Sequence, residues 1–186
     1  FINIGDDSVA RKPRIYYPGA MYHAIARGNN KEDIFCDSRD KNKYLELLAK
    51  YKEKYGFELF AYVLMNNHIH LLVRVQEHSL SKIMQGIQLT YTQYFNYRYS
   101  RVGHVFEQRY KAFICENQAY LMNLICYIHQ NPVRANMDGG INYPWSSHQH
   151  YNHGKGGLVN LDFILDLLHE DRRLAISIYR ELVAAP

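Results

Sequence analysis

The stretch Ala61-Tyr62-Val63-Leu64-Met65-Asn66-Asn67-His68-Ile69-His70-Leu71-Leu72-Val73 decides the fold. Two apolar runs flank a pair of asparagines, which is the pattern of an antiparallel hairpin with a two-residue turn. Because Asn tolerates φ > 0, Asn66-Asn67 is expected to turn through the left-handed region. On the second run alternate side chains face opposite ways. Ile69, Leu71, Val73 and Val75 then point to a core, and His68, His70, Leu72 and Arg74 point away from it.

Upstream, Ile15 to Arg27 reads as a strand, with Tyr22, Ala24 and Ala26 alternating against His23, Ile25 and Arg27, and Gly28-Asn29-Asn30 turns the chain. Asp37 or Ser38 caps a helix to about Tyr55, with Tyr44, Leu47, Leu48 and Tyr51 as its apolar stripe and Gly56 as its stop. Downstream, Ser79 opens a helix predicted to end near Gly103, and His104 to Cys115 reads as a fourth extended segment. Asn117 caps a further helix, which Pro132 is expected to end at about Asn131. Gly139-Gly140 and Tyr143-Pro144 mark a loop, and Leu161 to Val183 is helical with a break at Glu170–Arg173. The order β-α-β-β-α-β-α predicts an α+β fold. It is a ferredoxin-like split βαβ with an antiparallel sheet, helices on one face and a C-terminal helical extension.

The bulk properties agree with one such domain. The chain has 186 residues, 47% hydrophobic and 22% charged, enough to bury a core without staples. No run of about 18 apolar residues is present, which argues against a membrane span. Phe1 to Ala10 carry Asp6 and Asp7 and no apolar segment, so no signal peptide is expected. Cys36, Cys115 and Cys126 form no CxxC pair, which excludes a zinc ribbon. They read as small core residues of a reducing, cytoplasmic protein. The net charge of +4 is uneven: residues 61–136 hold seven Lys/Arg against three Asp/Glu, and an anionic ligand is expected there. Tyrosine is abundant, 17 against 8 Phe and 1 Trp.

Side chains two apart on a strand project side by side, so His68 and His70 can share one metal ion through neutral imidazoles. On the helix after Asn117, Leu121, Leu124, Ile125 and Ile128 form the apolar stripe, and Tyr120, Asn123, Tyr127 and Asn131 lie on another flank. Tyr127 and Asn131 are one turn apart on that flank. A tyrosine beside a bound cation is a candidate nucleophile toward phosphorus, and the Asn131 oxygen a candidate third ligand. Gln130 and His129 are rival ligands, but at about 100° per residue around the helix from Asn131 they are expected to point elsewhere.

At this level the chain resembles a known family. Ala61 through Val73 resembles the HUH strand of single-tyrosine transposases, where U is a bulky apolar residue, here Ile69. Tyr22-His23 through Arg27-Gly28-Asn29 resembles that family's first strand, and Gly103-His104-Val105-Phe106-Glu107-Gln108-Arg109-Tyr110-Lys111 its next block. Tyr127-Ile128-His129-Gln130-Asn131-Pro132-Val133-Arg134-Ala135 resembles its nucleophile helix, and Tyr143-Pro144-Trp145-Ser146-Ser147 its tail motif. Within the family the blocks are similar to the REP-associated tyrosine transposases of bacteria. The chain departs from the pattern at Asn66, usually Pro, and at Gln108, often Gly; Asn131 stands where the wider family often uses Gln.

The resemblance implies a transposase that cleaves and rejoins single-stranded DNA at hairpin-associated sites through a 5′-phosphotyrosine intermediate, assisted by a metal. Tyr127 would be the nucleophile. His68, His70 and Asn131 would be the ligands of Mg²⁺ or Mn²⁺, with Gln130 the alternative third ligand. Arg27, Asn29, Arg98, Arg101, Arg109, Lys111 and Arg134 would contact the DNA, and Tyr91, Tyr94, Phe95, Tyr97 and Tyr99 are candidates for base stacking. The expected organisation is a leader over 1–13, the catalytic domain over 14–136, and a loop and helical extension over 137–186 packed on the same domain. The partner is single-stranded or hairpin DNA, and a homodimer is compatible with the pattern. Two other readings are a nicking enzyme of the replication-initiator or relaxase type and a non-catalytic nucleic-acid-binding module.

Overall fold

A computed structural model describes residues 16–185; the expected leader lies outside the described residues. The elements run β1 (Met21–Arg27), α1 (Ser38–Tyr55), β2 (Glu58–Met65), β3 (His68–Arg74), α2 (Leu80–Tyr99), β4 (Lys111–Ile114) and α3 (Gln118–Arg134). Three short helices follow: α4 (His148–His153), α5 (Asp162–Leu168) and α6 (Arg172–Ala184). The strands form one sheet in the order β2-β3-β1-β4, with every neighbouring pair antiparallel. That is the ferredoxin-like split βαβ. Because right-handed crossovers place both connecting helices on one side, α1 and α2 share a face of the sheet. They pack tightly there: a Cβ at Gly86 of α2 would lie 2.5 Å from the ring of Tyr51 of α1.

Local chemistry sets the helix ends. The Asp37 side chain accepts from the N–H groups of Arg39 and Asp40, Ser79 from Lys82, and Asn117 from Tyr120, so each of these three helix starts has a side-chain cap for one or two of its orphan donors. Gly56 takes φ 63° and ends α1. A carboxylate network then ties α1 to α2. Asp40, fully buried, accepts from Cys36 N–H (2.8 Å), Tyr94 Oη (3.0 Å), Tyr99 Oη (2.8 Å) and Arg98 (2.5 Å).

Several expected boundaries move. The first strand begins at Met21, residues 16–20 lying outside it and Ile15 outside the described residues, and the second helix ends at Tyr99, where Ser100 takes φ 50°, not near Gly103. The fourth extended segment shrinks to Lys111–Ile114, because residues 104–110 leave the sheet after a single bridge from Phe106 to Gly28. Pro132 does not end α3, which continues to Arg134: its missing N–H falls in the last turn, and Ala135 N–H still reaches the Asn131 carbonyl. The Asn66-Asn67 turn forms, but neither residue has positive φ. Its carbonyls are held from outside the hairpin, Asn67 by Gly28 N–H and Asn66 by the N–H groups of Ile34 and Phe35, and that docking overrides the local preference. Cys36 is exposed and Cys115 and Cys126 are half-buried, so none is a core residue; each is a free thiol.

The extension closes the sheet's open edge. β2 is almost wholly buried although it ends the strand order. Leu64 N–H bonds the Trp145 carbonyl, Ser147 N–H the Tyr62 carbonyl, and Asn160 N–H the Leu59 carbonyl. Tyr143 and Tyr151 hydroxyls donate to the carbonyls of Leu64 and Phe60. The tail motif thus serves as a cover for an edge that would otherwise present unpaired backbone groups. Behind it α6 is tied to α3 through a buried chain, in which the Tyr179 hydroxyl lies 2.6 Å from His148 Nδ1 and 2.9 Å from His129 Nδ1, and His129 Nε2 lies 2.7 Å from Ser147 Oγ.

Candidate active site

The site lies on the sheet face opposite α1 and α2, where α3 crosses β3. A cavity of about 440 Å³ there is lined by Arg27, His68, His70, Glu107, Arg109, Lys111, Tyr127 and Asn131, with Ile25 and Gln108. Strand alternation brings His68 and His70 to this face. Helical spacing brings Tyr127 and Asn131. The Tyr127 ring stands edge-on to His70, with centroids 5.6 Å apart and planes at 81°. It is 36% exposed, buried on one side and open to the cavity on the other.

Both histidines are held by a second partner. Asn67 Oδ1 lies 2.7 Å from His68 Nδ1, and the same amide donates to the Lys31 carbonyl, so His68 Nδ1 must carry the proton and Nε2 is left with a lone pair. His70 Nδ1 lies 2.8 Å from His23 Nε2, and the two rings stack at 5.1 Å. If His70 Nδ1 donates, its Nε2 is likewise free. Burial pushes His68 and His23 down to about 4 and His70 to about 3, with Arg27 adding to the effect on His68 and His70. The imidazoles are therefore neutral at neutral pH, as metal ligation requires.

Asn131 donates its amide N–H to the Tyr127 carbonyl (2.8 Å), which turns its oxygen away from the helix. The rival ligands face elsewhere. Gln130 donates to the carbonyls of Val183 and Ala185 and accepts from Arg134, and His129 is fully buried between Ser147 and Tyr179. Among the described residues no three His, Cys, Asp or Glu side chains converge on one point. The cavity lining offers two imidazoles and one amide, residue types that would fit a borderline or hard divalent ion with positions left for phosphate or water.

The other predicted residues divide. Arg27, Arg109 and Lys111 line the cavity, and the Arg134 guanidinium lies over the Tyr127 ring at 5.3 Å. Asn29 does not line it; its N–H bonds the Val105 carbonyl. Arg98 is spent on Asp37 and Asp40, and Arg101 pairs with Glu32. Of the aromatic cluster, Tyr91 and Phe95 are core and Tyr94 and Tyr99 serve Asp40, which leaves Tyr97, 90% exposed, as the one open stacking surface of the five. His23, Glu107 and Gln108 were not anticipated. The alternation of β1 put His23 on the right face, but only the register, Ile25 opposite His70, sets it diagonal to His70.

Comparison with known proteins places the chain. No curated protein matches. A structure described as a REP-associated tyrosine transposase bound to a REP hairpin superposes with a TM-score of 0.65 at 17% identity, over 81% of this chain and 90% of that one. A candidate transposase from Deinococcus radiodurans R1 is similar with a TM-score of 0.46 at 17% identity, over 64% of this chain and 95% of that one. The first likeness shows that the folds are alike. The IS200-like transposase family matches residues 16–131, a span that includes all four strands and the cavity residues from Arg27 to Asn131. With that span covering well over half of its length, the chain belongs to the family of IS200-like transposases.

Proposed function

We propose that this transposase cleaves and rejoins single-stranded DNA beside a hairpin, with Tyr127 as the nucleophile. The carrying observation is the packing of the Tyr127 ring on His70 in one cavity with His68, Asn131 and three cationic side chains. Arg27, Arg109 and Lys111 hold the strand by its phosphates, and Arg134 lies across the tyrosine ring. The phenol oxygen of Tyr127 attacks phosphorus, a P–O bond to tyrosine forms, and the P–O3′ bond breaks. The tyrosine proton leaves to water and the departing 3′-oxygen takes one up, so the strand's 5′-phosphate stays on the enzyme. Attack by a 3′-OH on the phosphotyrosine reverses the step and joins strands without an added energy source. His68, His70 and Asn131 would hold Mg²⁺ or Mn²⁺, which when bound supplies positive charge against the phosphate oxygens. The hairpin partner is suggested by the structural neighbour described as bound to one.

The test is a denaturing gel of the protein incubated with labelled hairpin-bearing single-stranded DNA and Mn²⁺. A covalent protein–DNA band is expected, and Tyr127→Phe removes it while leaving the melting temperature within a few degrees. A band that persists in Tyr127→Phe overturns the assignment.

A further inference from the structure

On α3 Gln130 stands one turn after Tyr127 and one turn before Arg134, and both ends of its side-chain amide are engaged. Its Nε2 donates to the carbonyls of Val183 (2.9 Å) and Ala185 (2.8 Å), at the end of α6. A helix end leaves such carbonyls without intrahelical partners. Its Oε1 accepts from Arg134 Nη2 at 3.0 Å. Two carbonyls call for N–H donors and a guanidinium for an acceptor, so both sides fix the amide the same way round.

Arg134 is thereby aimed. Its guanidinium lies over the Tyr127 ring at 5.3 Å, while His70 meets that ring at 81° with centroids 5.6 Å apart. A cation over the face of a tyrosine is attracted by the ring's negative face. No carboxylate among the described residues pairs with Arg134, so its charge is left to the ring and to Gln130. Unlike Arg27, Arg109 and Lys111, it does not line the site cavity. It lines a separate recess of about 690 Å³ at the end of α6, together with Gln130 and Val183. A tyrosine that is 36% exposed swings about two side-chain torsions, and attack on phosphorus needs its oxygen in line at about 3–3.5 Å. His70 and Arg134 together limit that swing.

We propose that Gln130 is a positioning residue for the nucleophile: it holds Arg134 on the Tyr127 ring, and the end of α6 holds Gln130. The inference rests on the strand-cleavage reading for what Tyr127 does. It gives Gln130 a role other than metal ligation, and it gives α6 a reach into the site.

Two measurements test it, and the first needs no cleavage. In NMR spectra of the full chain the Arg134 side-chain signals should carry a ring-current shift from Tyr127, read as the difference between wild type and Tyr127→Leu. Gln130→Met, which keeps the length and removes the amide, should abolish most of that shift. No shift in wild type, or one unchanged in Gln130→Met, overturns the proposal. The second is the single-turnover rate of covalent-band formation at saturating hairpin DNA and Mn²⁺. Gln130→Met and Arg134→Gln should each lower it about tenfold to a hundredfold, the scale of a misplaced reacting group, with Mn²⁺ affinity unchanged by calorimetry. The double variant should be no slower than the slower single one, because both changes break one contact. Effects that multiply would mean that Gln130 acts through the fold alone, and a lower Mn²⁺ affinity in Gln130→Met would make it a ligand; each overturns the proposal. If Gln130→Met does not fold, Arg134→Gln decides, and a full rate at saturating DNA overturns it. A wild type that forms no covalent band counts against the strand-cleavage chemistry, and the ring-current shift then decides the contact by itself.

Discussion

His70 reaches the cavity with one ring nitrogen already engaged by His23, at 2.8 Å, and its ring packed on Tyr127. Partners of this kind fix the tautomer and orientation of a metal-binding imidazole, and their removal typically lowers metal affinity by 10–100-fold. His23→Ala is therefore expected to weaken Mn²⁺ binding by about that factor while leaving His68 and His70 in place, as measured by titration calorimetry. Unchanged affinity would sink the supporting role of His23. The same burial gives a pH signature. His23, His68 and His70 sit at about 4, about 4 and about 3, below the ordinary 6.5, so the unfolded chain binds more protons than the folded one between those values. Stability is then full above 6.5 and is lost as pH falls through 4 toward 3. The melting temperature should be flat from pH 8 to 7 and drop by several degrees by pH 5. His70→Ala should reduce that drop, and a profile flat to pH 4.5 would refute the account.

At the scale of elements, the junction of α1 and α2 depends on one carboxylate. Asp40 is buried with four donors on its two oxygens, including the Arg98 guanidinium that also pairs with Asp37. Removing one side of a buried charged cluster leaves the other side uncompensated, so Asp40→Asn should destabilise the fold by about 3 kcal/mol, read by urea unfolding. A loss under about 1 kcal/mol would mean that solvent replaces the carboxylate. This network also explains why Arg98, Tyr94 and Tyr99 do not face the cavity: their polar ends are needed at Asp40. Element type and order were legible from period and caps. The ends that shifted, at Tyr99, Lys111 and Arg134, did so where tertiary hydrogen bonds or a terminal turn changed the local balance.

Over the whole molecule, charge is sorted by location. The described Lys and Arg side chains on the cavity face an opening, whereas Arg74 pairs with Glu58, Arg98 with Asp37 and Asp40, Arg101 with Glu32 and Arg172 with Asp162. Single-strand binding should follow that sorting. Arg109→Ala or Lys111→Ala should weaken binding and lower the slope of log Kd against log salt by about 0.7, and Arg101→Gln should leave the slope unchanged. Fluorescence anisotropy with hairpin-bearing DNA from low to moderate salt measures it. Equal slopes for all three variants would remove the cavity from the DNA path. The extension acts on this scale too, covering the β2 edge and tying α3 to α6 through His129 and Tyr179. Among the described residues no helix is long and apolar enough to cross a membrane.

The sequence by itself determined the sheet, the faces of its strands, and that His68 and His70 share one strand face and Tyr127 and Asn131 one helix flank, because periods of 2 and 3.6 are local properties that residue order alone encodes. Only the tertiary structure decided which cations line the cavity, what Gln130 and His129 bond to instead, that His23 backs His70, and that the tail motif seals an edge. Each of these depends on which distant groups arrive within hydrogen-bonding reach, and strand register and helix packing set that.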